Sequence, residues 1–148
     1  MPALFVYGTL RDPDILSAVL GRPLNGGAIA DAAAPGFHVV HYPGRNYPGL
    51  VRVAGKAAPG LVLLDLSAFQ MDLLDAFEGD EYRPEAIPVM IGEELHQVLA
   101  YLPTISIPGD AAAWTLSAWQ AEHKSRLLFS HRDTAAGLRA KLIAIRPV

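Results

Sequence analysis

An apolar run that stops abruptly on glycine constrains this chain more than any other feature. Leu4, Phe5, Val6 and Tyr7 are four consecutive apolar or aromatic residues, and Gly8-Thr9 follows at once. Such a run suits a buried strand, and a glycine at its end offers backbone rather than side chain at the strand's mouth. Successive N–H groups beyond that glycine can point into one concavity that suits a carboxylate or phosphate. A helix predicted over about 12–20, opened by Asp12-Pro13-Asp14 and closed by Gly21, would aim its positive end at the same spot. The ordinary alternative for this stretch is a strand and a turn that bind nothing.

The other β-rich runs are short and punctuated by glycine and proline. Residues 26–34 read as a strand because Asn25-Gly26-Gly27 and Pro35-Gly36 bracket them, and 37–41 read as another. A long loop with two Pro-Gly turns covers 42–49, and loops of that length often carry function. Runs at 50–53 and 61–66, separated by Gly55 and Pro59-Gly60, have the spacing of an antiparallel hairpin. Strands at 82–90 and 95–102 flank the turn Gly92-Glu93-Glu94. The sheet is therefore expected to be mostly antiparallel.

The strongest helix is predicted over 67–77. Ser67 and Gln70 form a capping-box pattern, Leu66, Phe69, Leu73, Leu74 and Phe77 share one stripe, and Gly79 stops it. Glu78 falls at the last turn, facing the negative end of the helix dipole, which is an odd place for a structural glutamate. Helical spacing over 114–129, broken near His123, predicts a cover for one end of the sheet, and the tail beyond Ser130 is expected to carry no chemistry. No repeat or boundary divides residues 1–148, so a single domain is expected.

Composition excludes several functions. A chain of 148 residues can remove about two-thirds of its extended surface from water, and 51% hydrophobic with 18% charged residues describes a soluble globular protein. No run approaches the roughly eighteen apolar residues of a membrane span. Met1-Pro2-Ala3 leads straight into the first strand without a secretory leader, so a cytoplasmic location is expected. Without cysteine there is no disulfide, thiolate nucleophile or thiolate metal site. A net charge of -3 with scattered basic residues offers nothing to nucleic acid, which leaves a small molecule as the expected partner. His38 and His41 would face opposite sides of a strand, a poor metal pair. Neither a Gly-x-Ser-x-Gly elbow nor a Gly-x-x-x-x-Gly-Lys loop is present, and cofactor-free chemistry is expected.

Three motifs then appear in order: Tyr7-Gly8-Thr9-Leu10-Arg11, Asn46-Tyr47-Pro48-Gly49-Leu50 and Phe77-Glu78-Gly79-Asp80-Glu81-Tyr82-Arg83. Through them, over about residues 3–119, the chain resembles the gamma-glutamylcyclotransferase-like family, and more narrowly its AIG2-like branch. The resemblance implies an α+β fold, a small mixed, largely antiparallel barrel-like sheet with flanking helices. It also implies a substrate pocket at Tyr7, Gly8, Thr9 and Leu10, whose main-chain N–H groups grip the α-carboxylate of a glutamyl unit. Tyr47 with Pro48 would form the facing wall, and Tyr82 would line the pocket. Arg11 either assists or is a surface charge.

Glu78, Asp80 and Glu81 compete as the reactive acid, and spacing alone does not choose among them; a turn of solvated acids is the ordinary reading. The motif chooses Glu78. A gamma-glutamyl compound carries its own nucleophile, so holding it folded makes attack on the γ-carbonyl intramolecular. One carboxylate could then take a proton from the α-ammonium and return it to the departing nitrogen. The implied function is a cyclotransferase acting on a gamma-glutamyl amine, amino acid or peptide, releasing pyroglutamate (5-oxoproline) without metal or cofactor. The alternative is a catalytically silent binding module of the same fold. Asp80-Glu81 adds negative charge near the mouth, which disfavours acidic leaving groups.

Overall fold

Five strands carry the structure: β1 (Leu4–Val6), β2 (Ile29–His41), β3 (Pro48–Leu63), β4 (Tyr82–Ile91) and β5 (Glu94–Pro103). This computed structural model describes residues 3–24 and 26–145; Met1, Pro2 and Asn25, used above in reading the leader and the first turn signal, lie outside them. All three residues of β1 are buried, as its composition requires. β1 pairs antiparallel with β3 (Leu4 opposite Leu63) and parallel with β5 (Leu4 opposite Leu99), closing a barrel in the order β1-β3-β2-β4-β5. The sheet is mixed and largely antiparallel.

β2 and β3 correct the sequence reading. The predicted strands at 26–34 and 37–41 form one strand that begins at Ile29, after a 3-10 turn at Gly26–Ala28. The runs at 50–53 and 61–66 likewise belong to one strand of 16 residues, and no hairpin separates them. Pairing shifts register between Pro35 and Phe37, opposite residues 52–57, where Gly36 and Gly55 take φ of 79° and 83°. Glycine alone adopts that conformation easily, so Pro35-Gly36 and Gly55 make a bulge inside a continuing ladder. The hairpin lies elsewhere, joining β2 to β3 through the loop 42–47. Between β4 and β5, the predicted turn at Gly92 is present, with pairing from Tyr82–Pro103 to Ile91–Glu94.

The helices follow their local signals. In α1 (Pro13–Leu20) the stripe Ile15, Leu16, Val19 and Leu20 is buried, each residue contributing on the order of 2 kcal/mol of burial. The helix α2 (Ala68–Glu78) carries both halves of the Ser67–Gln70 capping box and ends at Gly79. After α3 (Leu116–Trp119), a π-helical turn over Gln120–Lys124 replaces the break predicted near His123, and α4 (Ser125–Ile145) continues well beyond 129. α4 packs on α1 and α2, and Arg139 donates to the carbonyls of Ala18 and Val19 at 2.7 and 3.2 Å. Trp114 and Trp119 are buried in the main core. No described helix is long and apolar enough to cross a membrane.

Candidate active site

A cavity of about 310 Å³ opens where β1 ends, bounded by the 42–47 loop, the carboxyl end of α2 and one face of α4. Tyr7, Gly8, Thr9, Leu10, Tyr47, Tyr82 and Glu78 all line it. Residues from three distant motifs are thus brought to one place, because β1, the start of β3 and the end of α2 meet at this end of the barrel.

Gly8 leads from β1 into a 3-10 turn at Thr9–Arg11, closed by Arg11 N–H donating to the Gly8 carbonyl at 3.0 Å. The first donors of such a turn, the N–H groups of Thr9 and Leu10, have no partner inside it, and both residues line the cavity together with Gly8. The structure adds one constraint and changes one expectation here. A Cβ on Gly8 would lie 2.9 Å from Pro48 Cγ, so the glycine makes room for the facing loop. The amino end of α1 is already answered by Asp12, whose buried carboxylate accepts from Asp14 and Ile15 N–H at 2.9 and 3.2 Å. Gln120 Nε2 at 2.8 Å and Lys124 Nζ at 2.9 Å take up its other oxygen. The helix dipole is therefore spent on Asp12 rather than on the cavity. Arg11 lines a different hollow altogether.

Tyrosines build the opposite wall. Tyr42, Tyr47 and Tyr82 pack with ring centres 5.5 to 6.2 Å apart. Tyr82 donates to the Pro48 carbonyl at 2.6 Å, fixing the loop that meets Gly8, and Tyr7 donates to the Tyr101 carbonyl at 2.5 Å. Burial raises the pKa of Tyr7 and Tyr82, and the nearby Glu78 adds to this; Tyr47 is pushed up to about 12 by burial and then by its bond to Glu81. All three are neutral hydroxyls at physiological pH.

The structure separates the three acids. Asp80 is exposed and does not line the cavity. Glu81 lines it, but one oxygen accepts from Tyr47 and the other from Arg45 Nε at 3.0 Å. Glu78 has no hydrogen-bond or ion-pair partner among the described residues. Burial, followed by the charge of Asp75, raises its pKa from 4.5 to about 8. Some surface remains accessible, as it must on a cavity wall. A carboxyl poised near neutral pH can both give and take a proton.

Sequence reasoning missed the far wall. Ser130, His131 and Thr134 line the cavity, which corrects the expectation that the chain beyond Ser130 stands apart from any site. His131 meets Phe77 edge-on with ring centres 5.4 Å apart, and burial lowers its pKa, leaving a neutral imidazole. Ser130 and Thr134 lie one turn apart on α4, a spacing that sequence could have given but that looks the same as a solvated helix face. Tyr101, also on the wall, donates to Asp75 at 3.3 Å. Among the described residues no three His, Asp or Glu side chains gather as a metal site.

A family model described as gamma-glutamyl cyclotransferase, AIG2-like, matches residues 4–121. Among curated relatives, AIG2-like protein A of Arabidopsis thaliana is 29% identical over 129 residues, which cover 84% of this chain and 76% of that protein. AIG2-like protein D of the same plant is 28% identical over 142 residues, covering 93% and 91%. A solution structure of an Arabidopsis thaliana protein superposes with a TM-score of 0.65 at 25% identity, covering 99% of this chain and 95% of the other. A solved gamma-glutamyl cyclotransferase superposes with a TM-score of 0.54 at 14% identity, covering 99% and 89%; that likeness is one of fold.

Proposed function

The chain belongs to the gamma-glutamyl cyclotransferase, AIG2-like family, and from that premise we propose that it acts as one domain that cyclises gamma-glutamyl amines, amino acids or peptides to pyroglutamate. The observation that carries the reading is Glu78. Of three neighbouring acids it alone lines the cavity without a side-chain partner among the described residues, and burial raises its pKa to about 8.

The chemistry follows from the walls. The N–H groups of Gly8, Thr9 and Leu10 hold the α-carboxylate of the glutamyl unit, a form of anion recognition that needs no cation. With that end fixed and the tyrosine wall opposite, the chain folds until the α-nitrogen faces the γ-carbonyl. In the empty cavity Glu78 is mostly the neutral acid at pH 7. A bound α-ammonium supplies the positive charge that favours its carboxylate, which then accepts a proton and frees the amine to attack. The new C–N bond closes the lactam, and the old C–N bond breaks as Glu78 returns the proton to the departing nitrogen. A second proton follows the same route, so the amine leaves as an ammonium and Glu78 ends as it began.

Incubating the full chain with a panel of gamma-glutamyl compounds and measuring pyroglutamate tests this reading. Release above the buffer rate from at least one compound is expected. Stoichiometric binding of such compounds without any release would leave a binding module instead.

A further inference from the structure

Arg11 ends the first motif, yet its side chain is absent from the cavity that Thr9 and Leu10 line. It lines a second hollow of about 570 Å³, set between β2, the bulged middle of β3 and the loop leading into α3. The two hollows share no residue. Charge in the second is one-sided: Arg11 and Lys56 line it with His38, and among the described residues no Asp or Glu does. This contrasts with a chain whose net charge is -3.

Arg11 is partly buried, and burial lowers its pKa with no compensating ion pair among the described residues. Asp12, its neighbour in sequence, is turned to Gln120 and Lys124. A half-buried guanidinium with no counter-charge among the described residues is free to meet an anion, and its planar fork of donors matches oxyanions. The Ser117 hydroxyl adds a donor, while Val39 and Leu116 supply an apolar wall.

We propose that the second hollow binds a small organic anion bearing a phosphate or carboxylate group, with Arg11 as the bidentate donor, Lys56 as the second positive charge and Ser117 and His38 as further donors. The site is separate from the cavity of Glu78 and does not depend on the activity assigned there.

Calorimetric titration of the full chain with pyrophosphate and, separately, with citrate tests the proposal at fixed ionic strength. At least one probe is expected to bind saturably at one site; tighter pyrophosphate identifies a phosphate site and tighter citrate a carboxylate site. Arg11→Gln and Lys56→Gln are each expected to weaken that binding by about tenfold or more, as loss of a charge-assisted contact does. Glu78→Gln should leave it unchanged. Lys56 is exposed, so its variant keeps the test intact even if Arg11→Gln folds poorly. Failure of both probes to saturate, binding that survives both substitutions, or binding that is lost in Glu78→Gln would overturn the site.

Discussion

At Glu78 a carboxyl group exchanges hydration for position, and stability should record the exchange. Its native pKa of about 8 lies above the unfolded value of 4.5, so folding favours the protonated form. The sign follows: the contribution is fully present below pH 4.5 and is lost as pH rises through 8. Full conversion of that shift would be roughly 5 kcal/mol, but an open cavity screens part of it, leaving on the order of 1 to 3 kcal/mol. Glu78→Gln removes the titration. Urea unfolding across pH 5 to 9 is therefore expected to show the variant gaining on the parent as pH rises, and parallel curves would deny the desolvation. Gly8→Val tests the facing wall, since its Cβ would press on Pro48, whose carbonyl holds Tyr82. A loss of about 1 to 3 kcal/mol is expected, with pyroglutamate binding weakened in calorimetry. Parental affinity in a folded variant would remove the cavity as the ligand site. The contact of Gly8 with Pro48 was not legible in the sequence, because Pro48 is 40 positions away in the chain and no local pattern links them.

At the scale of elements, Asp12 joins the amino end of α1 to the helical segment that continues into α4. Burial alone would raise its pKa, but hydrogen bonds from Gln120 and Lys124, then from Ile15 and Asp14 N–H, outweigh that and hold it below 3.8. A lowered native pKa means stability present above about pH 4 and lost as pH falls through the native value. Asp12→Ala is expected to cost about 2 to 4 kcal/mol at pH 7, the sum of a lost cap and a broken buried pair, and to flatten the acid limb of the unfolding curve. An unchanged acid limb would show that the clasp is not formed in solution. Elements were legible where independent local signals agreed. In α2 the capping box, the stripe and Gly79 all mark the same bounds. β2 and β3 were misread because Pro35-Gly36 and Gly55 punctuate a turn and a bulge alike, and only the partner strand decides which. α4 was cut short because most of its described residues are exposed, leaving little periodicity to follow past Phe129.

For the whole molecule, the closure of the barrel through the parallel pairing of β1 with β5 was beyond local reading, since it joins residues 95 positions apart. The family motifs compensated: their order foretold that 7–10, 47–48 and 78–82 would converge, and the cavity holds all three. The wall from α4 lies past residue 121, where the family match ends, and no motif announced it. With no cysteine in the chain and no described metal cluster, turnover is expected to survive prolonged chelation and thiol-blocking reagents. An inactive chelated preparation revived by a divalent ion would contradict this. The central claim rests on proton transfer by one residue within this whole pocket. Single-turnover formation of pyroglutamate by the parent and by Glu78→Gln, each with its ligand affinity measured alongside, tests it most directly. The expected result is a fall of about a hundredfold to ten-thousandfold in rate with affinity little changed; a folded Glu78→Gln protein that turns over within a few-fold of the parent would contradict it.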